Sequence, residues 1–458
     1  MTTTAAPVRW RAVFAGRRGR LLAGLMLLEV ATGVQSLVVT AILPAITDRL
    51  GDRWLYGIAL AATTLATFVT IPLAGPYADR VGVRRALVTV VAVLVAGTLV
   101  AGLAPTMPVL VAGRLVQGMG SGALNVVTLT GIAGVFPARL RPRVLALTSA
   151  AWIVPGLFGP AYGAVLAQFV GWRVPILSYL VFLLVAVALA LPPLARLAPP
   201  TAGAAGLPVP AALALFAGAV LVTVGAGRGG LVGWGGAALG VLAGGVALRR
   251  LLPTGTWTLR RGLPATVAAA FLLTAGYFAL PALVPVLLTA GLRTDLRTAS
   301  LAVTAGALTW SLGSWLHARA ADAGRAPTRI AAYGGLLLAA AALTVLLGLR
   351  MATPPLLYAG CLAAGLGMGL GYPALWLATM GAGTGGATSA TLLADVLGTG
   401  LGAGLAGTAA AAGVSRHALV PALTGTLVAV AVLALGFAVV ARRMSDPGRR
   451  VPSAEEDG

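Results

Sequence analysis

Apolar residues fill this chain in runs of about 20, broken by short polar stretches, and a run of that length matches a helix crossing the hydrocarbon layer. The pattern predicts helices near 22–46, 54–74, 86–104, 108–135, 144–170 and 174–192. The stretch "PPLARLAPPTAGAAGLPVP", 192–210, then reads as a linker, rich in Pro, Ala and Gly. Two further helices follow near 209–226 and 231–249, and a loop at 250–262. Six more lie near 263–290, 298–317, 328–349, 354–380, 386–412 and 418–441. The expectation is an all-α membrane protein with fourteen spans.

The spans group as six, two and six. A basic segment, 1–21, precedes a first six-helix bundle over 22–192. A linker region with two inserted transmembrane helices occupies 193–262, a second six-helix bundle 263–441, and a tail 442–458. Two nearly equal blocks suggest internal duplication, the architecture of secondary transporters, with substrate bound near the midplane between the halves.

Composition agrees. The chain has 458 residues, of which 59% are hydrophobic and only 9% charged, where a soluble domain carries about 25% charged residues. The net charge of +21 comes from 32 basic residues, all arginine. They sit mainly in short loops, a pattern that orients a membrane protein and holds it against anionic headgroups. A nucleic-acid partner would need a contiguous basic soluble domain, and none is present. With the N-terminus inside, the cytoplasmic segments hold 23 arginines, the outer loops eight, and Arg114 falls within a span. That split predicts both termini on the cytoplasmic side of a multi-pass protein of the cell membrane. The basic start leads into a run too long for the apolar core of a signal peptide, so it reads as the first span. One cysteine, Cys361, excludes an internal disulfide, and two histidines, His317 and His417, cannot make a His-rich metal site. No cofactor is expected.

The segment "GPYADRVGVRRAL", 75–87, joins the second and third spans. Gly75 and Gly82 permit a tight turn and close helix approach. Asp79 can cap a helix N-terminus or face a helix dipole, while Arg80, Arg84 and Arg85 can pair with it or with lipid phosphates. Alternatively this is an ordinary basic loop. The stretch resembles the signature loop of the major facilitator superfamily, Gly-x-x-x-Asp-Arg-x-Gly-x-Arg-Arg. "GRLVQGMGSGA", 113–123, is similar to the family's Arg-x-x-Gln-Gly-x-Gly motif. "GLFGPAYGA", 156–164, is similar to its Gly-Pro-x-x-Gly antiporter motif, with Ala164 in place of the final glycine. "VQSLVVTAILPAI", 34–46, resembles the first-span motif of the fourteen-helix drug:proton antiporters, with Gln35 where those carry Asp.

The resemblance implies the major facilitator fold. It implies that Asp79 belongs to a cytoplasmic charge network steadying one conformation, that Arg114 is a buried arginine tied to proton movement, and that Gly159, Pro160 and Gly163 form a tightly packed face limiting leak. Gln35 leaves no proton site at its own position. The corresponding second-half segment, 313–329, is degenerate, with Asp322 and Gly324 misspaced against Asp79 and Gly82.

Only 11 acids exist, so the search for a proton carrier is exhaustive. Asp48, Asp52, Asp295, Asp79 and Asp322 fall in loops; Asp446, Glu455, Glu456 and Asp457 fall in the tail. Glu29 and Asp395 remain, each about 10–14 Å into its span at about 1.5 Å per residue. An ionised carboxylate at a span's centre costs about 2.5–3.5 kcal/mol on insertion scales, and protonation relieves that cost. Asp395, Glu29 or both are therefore expected to load and release a coupling proton. Three structural alternatives stand beside this. Asp395 follows the break "GAGTGG", 381–386, and can cap a helix starting there; Glu29 can snorkel or pair with an N-terminal arginine; Arg114 can simply bond carbonyls.

Gly398 and Gly402, like Gly400 and Gly404, are four apart, a spacing that lets helices approach closely. "AAGLGMGLGYPALW", 363–376, repeats the theme. Gln35, Asn125, Trp152, Tyr162, Tyr277, Trp310, Tyr372 and Trp376 are the expected cavity-lining residues; aromatic residues near span ends can instead be interfacial anchors. The combined expectation is export of small amphipathic organic molecules in exchange for protons, by a protein that functions as a monomer among membrane lipids. Proton-coupled uptake of a small metabolite is the alternative. A polytopic membrane enzyme is a remote one, since His317 and His417 fall on opposite sides of this topology and long catalytic loops are missing. The protein is not expected to be an enzyme.

Overall fold

A computed structural model describes residues 11–52, 55–195, 197, 206–228, 230–294, 296–415 and 419–445. His417, Asp295, the tail acids from Asp446 onward, and the centre of the 192–210 linker lie outside the described residues. The described chain is helical almost throughout. The first helices are α1 (Arg11–Phe14), α2 (Gly16–Leu50), α3 (Tyr56–Val81), α4 (Val83–Gly102) and α5 (Met107–Val135). Next come α6 (Arg141–Ala151), α7 (Ile153–Val170), α8 (Arg173–Leu194), α9 (Val209–Arg228) and α10 (Gly230–Leu251). The remainder are α11 (Leu263–Val286), α12 (Leu296–Asp322), α13 (Pro327–Arg350), α14 (Pro354–Gly381), α15 (Gly385–Ser415) and α16 (Leu419–Ala441).

Among the described residues, twelve helices are long and apolar enough to cross a membrane. Two of the fourteen expected segments fall short of that measure. In α9 the apolar stretch is Val209–Gly225, in the shorter class, and α12 is diluted by Ser, Thr, His and Arg. The segment 144–170 is not one helix: it breaks at Trp152 between α6 and α7. Pro155 explains the break, because proline has no N–H to bond the carbonyl of Ala151 and its ring crowds that turn. The expected loop at 75–87 is also shorter than its sequence suggests. Helix α3 runs on through Asp79 and Arg80, and one residue, Gly82 at φ 84°, separates it from α4. Such a φ is open to glycine at little cost.

Two compact units are distinguished. One gathers Val8–Thr254 with Thr384–Leu393; the other gathers Gly255–Gly383 with Ala394–Gly458. In the first, α5 packs between α3 and α4 through glycines. A Cβ at Gly118 would overlap the backbone of Thr63 on α3, and one at Gly113 would overlap Ala101 on α4. Helix α2 packs against α7 and α8, burying Val38, Ile42 and Ile46 with Met107, Leu110, Trp172 and Ile176. Helices α9 and α10 pair through Gly218 against Gly240 and Gly225 against Gly233. In the second unit, α14 packs against α12 and α13, again over glycine: Gly365 and Gly369 meet the α12 backbone, and Gly367 meets Gly334 of α13.

Candidate functional site

The second unit holds the more buried of the two intramembrane acids. Asp395 is buried, ten residues inside α15, so it does not cap that helix; the capping alternative is excluded by position. The Tyr372 hydroxyl of α14 donates to its Oδ2 at 3.2 Å. Its backbone carbonyl accepts from Thr274 Oγ1 of α11 at 3.1 Å. That contact needs the next turn of α15 to lie almost on α11, and Gly398 supplies it, since a Cβ there would overlap Thr274 Oγ1. Gly402 likewise meets the carbonyl of Ala275. Gly400 and Gly404 have no neighbour within 4 Å of a Cβ, so of the two expected small faces only the one through Gly398 and Gly402 packs.

From Tyr372 a ladder of edge-to-face rings leads away from the carboxylate. Trp310 lies 5.5 Å from Tyr372, Tyr277 lies 5.3 Å from Trp310, and Trp376 lies 5.8 Å from Tyr372 on its other side. Edge-to-face is the arrangement favoured by the quadrupoles of aromatic rings. The glycines of α14 set the ladder's spacing: a Cβ at Gly369 would overlap the carbonyl of Trp310, so the two helices touch one turn before Tyr372. Four of the eight expected cavity residues are thereby joined, and Phe278, which the sequence reading missed, completes the group at 5.1 Å from Tyr277. Nothing in the sequence marks Phe278 apart from its place beside Tyr277. His317 is buried on α12 with its Nδ1 2.8 Å from the Leu370 carbonyl.

The first unit holds the other acid. Glu29, half-buried on α2, accepts a hydrogen bond from the Trp152 indole at 3.1 Å. Trp152 stands at the α6/α7 break, and Gly33 leaves room for it, since a Cβ there would lie 3.2 Å from the Trp152 ring and 2.7 Å from Pro155. One turn along α2, Thr32 Oγ1 is 3.3 Å from the Tyr179 hydroxyl. The partner of Glu29 is thus an indole. Of the N-terminal arginines, Arg17 binds the Pro193 carbonyl, and Arg9 lies outside the described residues.

Arg114 is buried, with Nε 3.3 Å from the Ala59 carbonyl and Nη2 3.3 Å from Thr63 Oγ1. Gln117 of the same motif donates to Thr98 at 2.9 Å. The motif's glycines bring α3 and α4 close enough for these bonds. Gln35 is buried with its Nε2 unpartnered, Asn125 bonds back to Ser121 of its own helix at 3.1 Å, and Tyr162 reaches Ser178 at 2.9 Å. With Trp152, these first-unit residues form no ladder like that around Asp395.

The segment over 75–85 has a definite job. Both carboxylate oxygens of Asp79 accept from the Gly385 N–H at 3.0 Å, and Oδ2 is 3.4 Å from the Gly386 nitrogen. Asp79 therefore caps the N-terminus of α15, where free N–H groups and the helix dipole favour an anion. The Gly75 N–H donates to Ser389 Oγ at 2.9 Å, and a Cβ at Gly75 would overlap the Gly385 carbonyl. Arg80, Arg84 and Arg85 are exposed. The packed face expected of the antiporter-like motif is present on α7. Gly159 would place a Cβ 3.2 Å from Leu37, and Gly163 one 3.1 Å from the Val38 backbone, both on α2; Pro160 lies between them in the helix.

The family model described as Major Facilitator Superfamily matches residues 25–407. The chain belongs to the major facilitator superfamily. The members of that family are transporters, and the chain is a multi-pass membrane protein. Among curated relatives, an uncharacterized MFS-type transporter of Mycobacterium tuberculosis is 34% identical over 146 residues, covering 32% of this chain and 21% of the relative. Vacuolar basic amino acid transporter 5 of Saccharomyces cerevisiae is 28% identical over 33% of this chain and 26% of its own length. Efflux pump dotC of Dothistroma septosporum is 27% identical over the same shares. These matches therefore span only about a quarter of each relative. Among solved structures, the human organic anion transporter MFSD10 superposes with a TM-score of 0.65 at 16% identity, over 92% of this chain and 99% of that one. That likeness is one of fold.

Proposed function

We propose that this major facilitator protein exports small amphipathic organic molecules in exchange for protons, by alternating access. The observation that carries the reading is the Tyr372–Asp395 hydrogen bond at the end of the aromatic ladder. A carboxylate so deep in an apolar helix is costly unless its charge is used. Asp395 accepts the coupling proton, loses its charge, and so loses the acceptor strength that holds the Tyr372 hydroxyl. In the ladder of Tyr277, Trp310, Tyr372 and Trp376, the half-buried rings of Trp310 and Tyr372 present aromatic faces to an amphipathic substrate next to that carboxylate, backed by the buried Tyr277 and Trp376. Protonation then favours one facing state and substrate the other, by the difference in their affinities for the two states.

Glu29, held by Trp152, is the second proton candidate. Arg114, bonded to Ala59 and Thr63, acts on the same α2–α3–α5 side of the machinery. Gln35, Asn125 and Tyr162 line the first half of the substrate path. Asp79 with Gly75, Gly82 and the arginines 80, 84 and 85 steadies one state by holding α15, and Gly159, Pro160 and Gly163 keep α7 sealed on α2. The chain spans the cytoplasmic membrane fourteen times with both ends inside, works as a monomer, and uses α9 and α10 as an inserted pair; the arginine distribution supports this orientation. The packed α7 face and the efflux label of one relative favour export over uptake. The test is substrate accumulation under an imposed pH gradient in inverted and right-side-out vesicles. Export predicts uptake into inverted vesicles with an acidic lumen; accumulation in right-side-out vesicles alone would establish the importer instead.

A further inference from the structure

The connector between α10 and α11 folds back onto the end of α16. The Gly262 N–H donates to the Arg443 carbonyl at 2.9 Å. Within the connector, the Arg260 N–H donates to the Gly255 carbonyl at 3.0 Å, and Gly255 at φ 91° makes the turn that this bond closes. These bonds fix two arginine pairs side by side, Arg260 with Arg261 and Arg442 with Arg443, and all four are exposed. Thr256 is buried beneath the turn, whereas the next residue, Trp257, is 65% exposed. The patch sits where two membrane-length helices end together, at the start of Leu263–Gly291 and the end of Leu423–Ala441.

We propose that this patch is a docking site for the headgroup of an anionic phospholipid. Charge complementarity names the occupant: four guanidiniums, each able to bond a phosphate bidentately, stand at the level where headgroups lie. An exposed tryptophan beside them suits the same interfacial layer, where indole rings concentrate. The positive charge is built, because the Gly262–Arg443 backbone hydrogen bond ties together two segments about 180 residues apart in sequence, each carrying an arginine pair. The inference does not depend on the transported substrate or on proton coupling.

The experiment compares full-length protein in nanodiscs of phosphatidylcholine alone and with one third phosphatidylglycerol, read by thermal unfolding and by native mass spectrometry of retained lipid. Each arginine beside an anionic surface is worth about fivefold in partition, so replacing all four with Gln is expected to weaken phosphatidylglycerol retention at least ~100-fold. It should also abolish the upward shift in melting temperature that the anionic lipid gives the wild type. An equal-charge control, Arg249, Arg250, Arg325 and Arg329→Gln, should keep the shift. Soluble glycerol phosphate should not reproduce it. The proposal is overturned if the four-arginine variant retains phosphatidylglycerol like the wild type, if the control loses it equally, or if soluble glycerol phosphate substitutes for the lipid.

Discussion

Replacing Asp79 separates two ideas about the 75–85 segment, because its observed partners are backbone N–H groups. Asp79→Ala removes the acceptor of the Gly385 N–H, a loss of about 0.5–2 kcal/mol, while Thr384 Oγ1 still accepts from the Ala387 N–H at 3.2 Å. It also removes an anion from the positive end of the helix dipole, a further 0.3–1 kcal/mol or so. The docked state of the α15 N-terminus should therefore weaken by about 1–3 kcal/mol, or ~5- to 150-fold. Asp79→Asn keeps a good N-cap oxygen and gives up mainly the dipole contribution, so about two- to fivefold is expected. Cysteine accessibility measures the docking. Ala390 is buried on the first turns of α15, and the single native cysteine can be removed as Cys361→Ala. In Ala390→Cys, alkylation by a polar maleimide should speed up strongly with Asp79→Ala and only modestly with Asp79→Asn. If both variants speed labelling equally, the aspartate acts as a charge toward Arg80, Arg84 or Arg85, and the capping argument is wrong.

Two further outcomes follow from the packing. Gly402→Ala should cost about 1–3 kcal/mol of thermal stability, because its Cβ would overlap the Ala275 carbonyl, whereas Gly400→Ala should change stability by no more than about 1 kcal/mol; equal losses in a melting assay would contradict the assigned α11–α15 face. Trp152→Phe keeps an aromatic ring but removes the indole donor to Glu29, so labelling of Glu29 by dicyclohexylcarbodiimide should quicken, by ~tenfold if the bond contributes ~1.5 kcal/mol. An unchanged rate would show that the indole does not hold the carboxylate.

The helices were legible because span length and apolarity leave little choice in a bilayer, and the expected spans fall on helix among the described residues, 144–170 on two helices rather than one. Their breaks were harder. Trp152 and Pro155 interrupt what reads as one apolar run, and the basic segment after Gly75 proved to be helix up to Gly82, because only one residue there needs a positive φ. The two acids within spans could be found by elimination, since so few acids exist. Their partners could not. Tyr372 reaches Asp395 from another helix, and the ladder joins Tyr277, Phe278, Trp310, Tyr372 and Trp376 from three helices. Glycine spacing signalled close approach but not its direction, so Gly398 and Gly400 looked alike in sequence and differ in the fold. A helix cap was one of the readings open to Asp79, beside a helix dipole and the nearby arginines, and Gly385, from whose N–H it accepts, lies over 300 residues away.

The most direct test of the account is proton-driven transport by purified protein in proteoliposomes, wild type against Asp395→Asn, Glu29→Gln and the double variant. An imposed pH gradient should drive the wild type to concentrate substrate. At least one single variant, and certainly the double variant, should still bind and equilibrate substrate but no longer concentrate it. If the double variant concentrates substrate as well as the wild type, neither carboxylate carries the proton, and the proposed coupling through the Tyr372–Asp395 site fails.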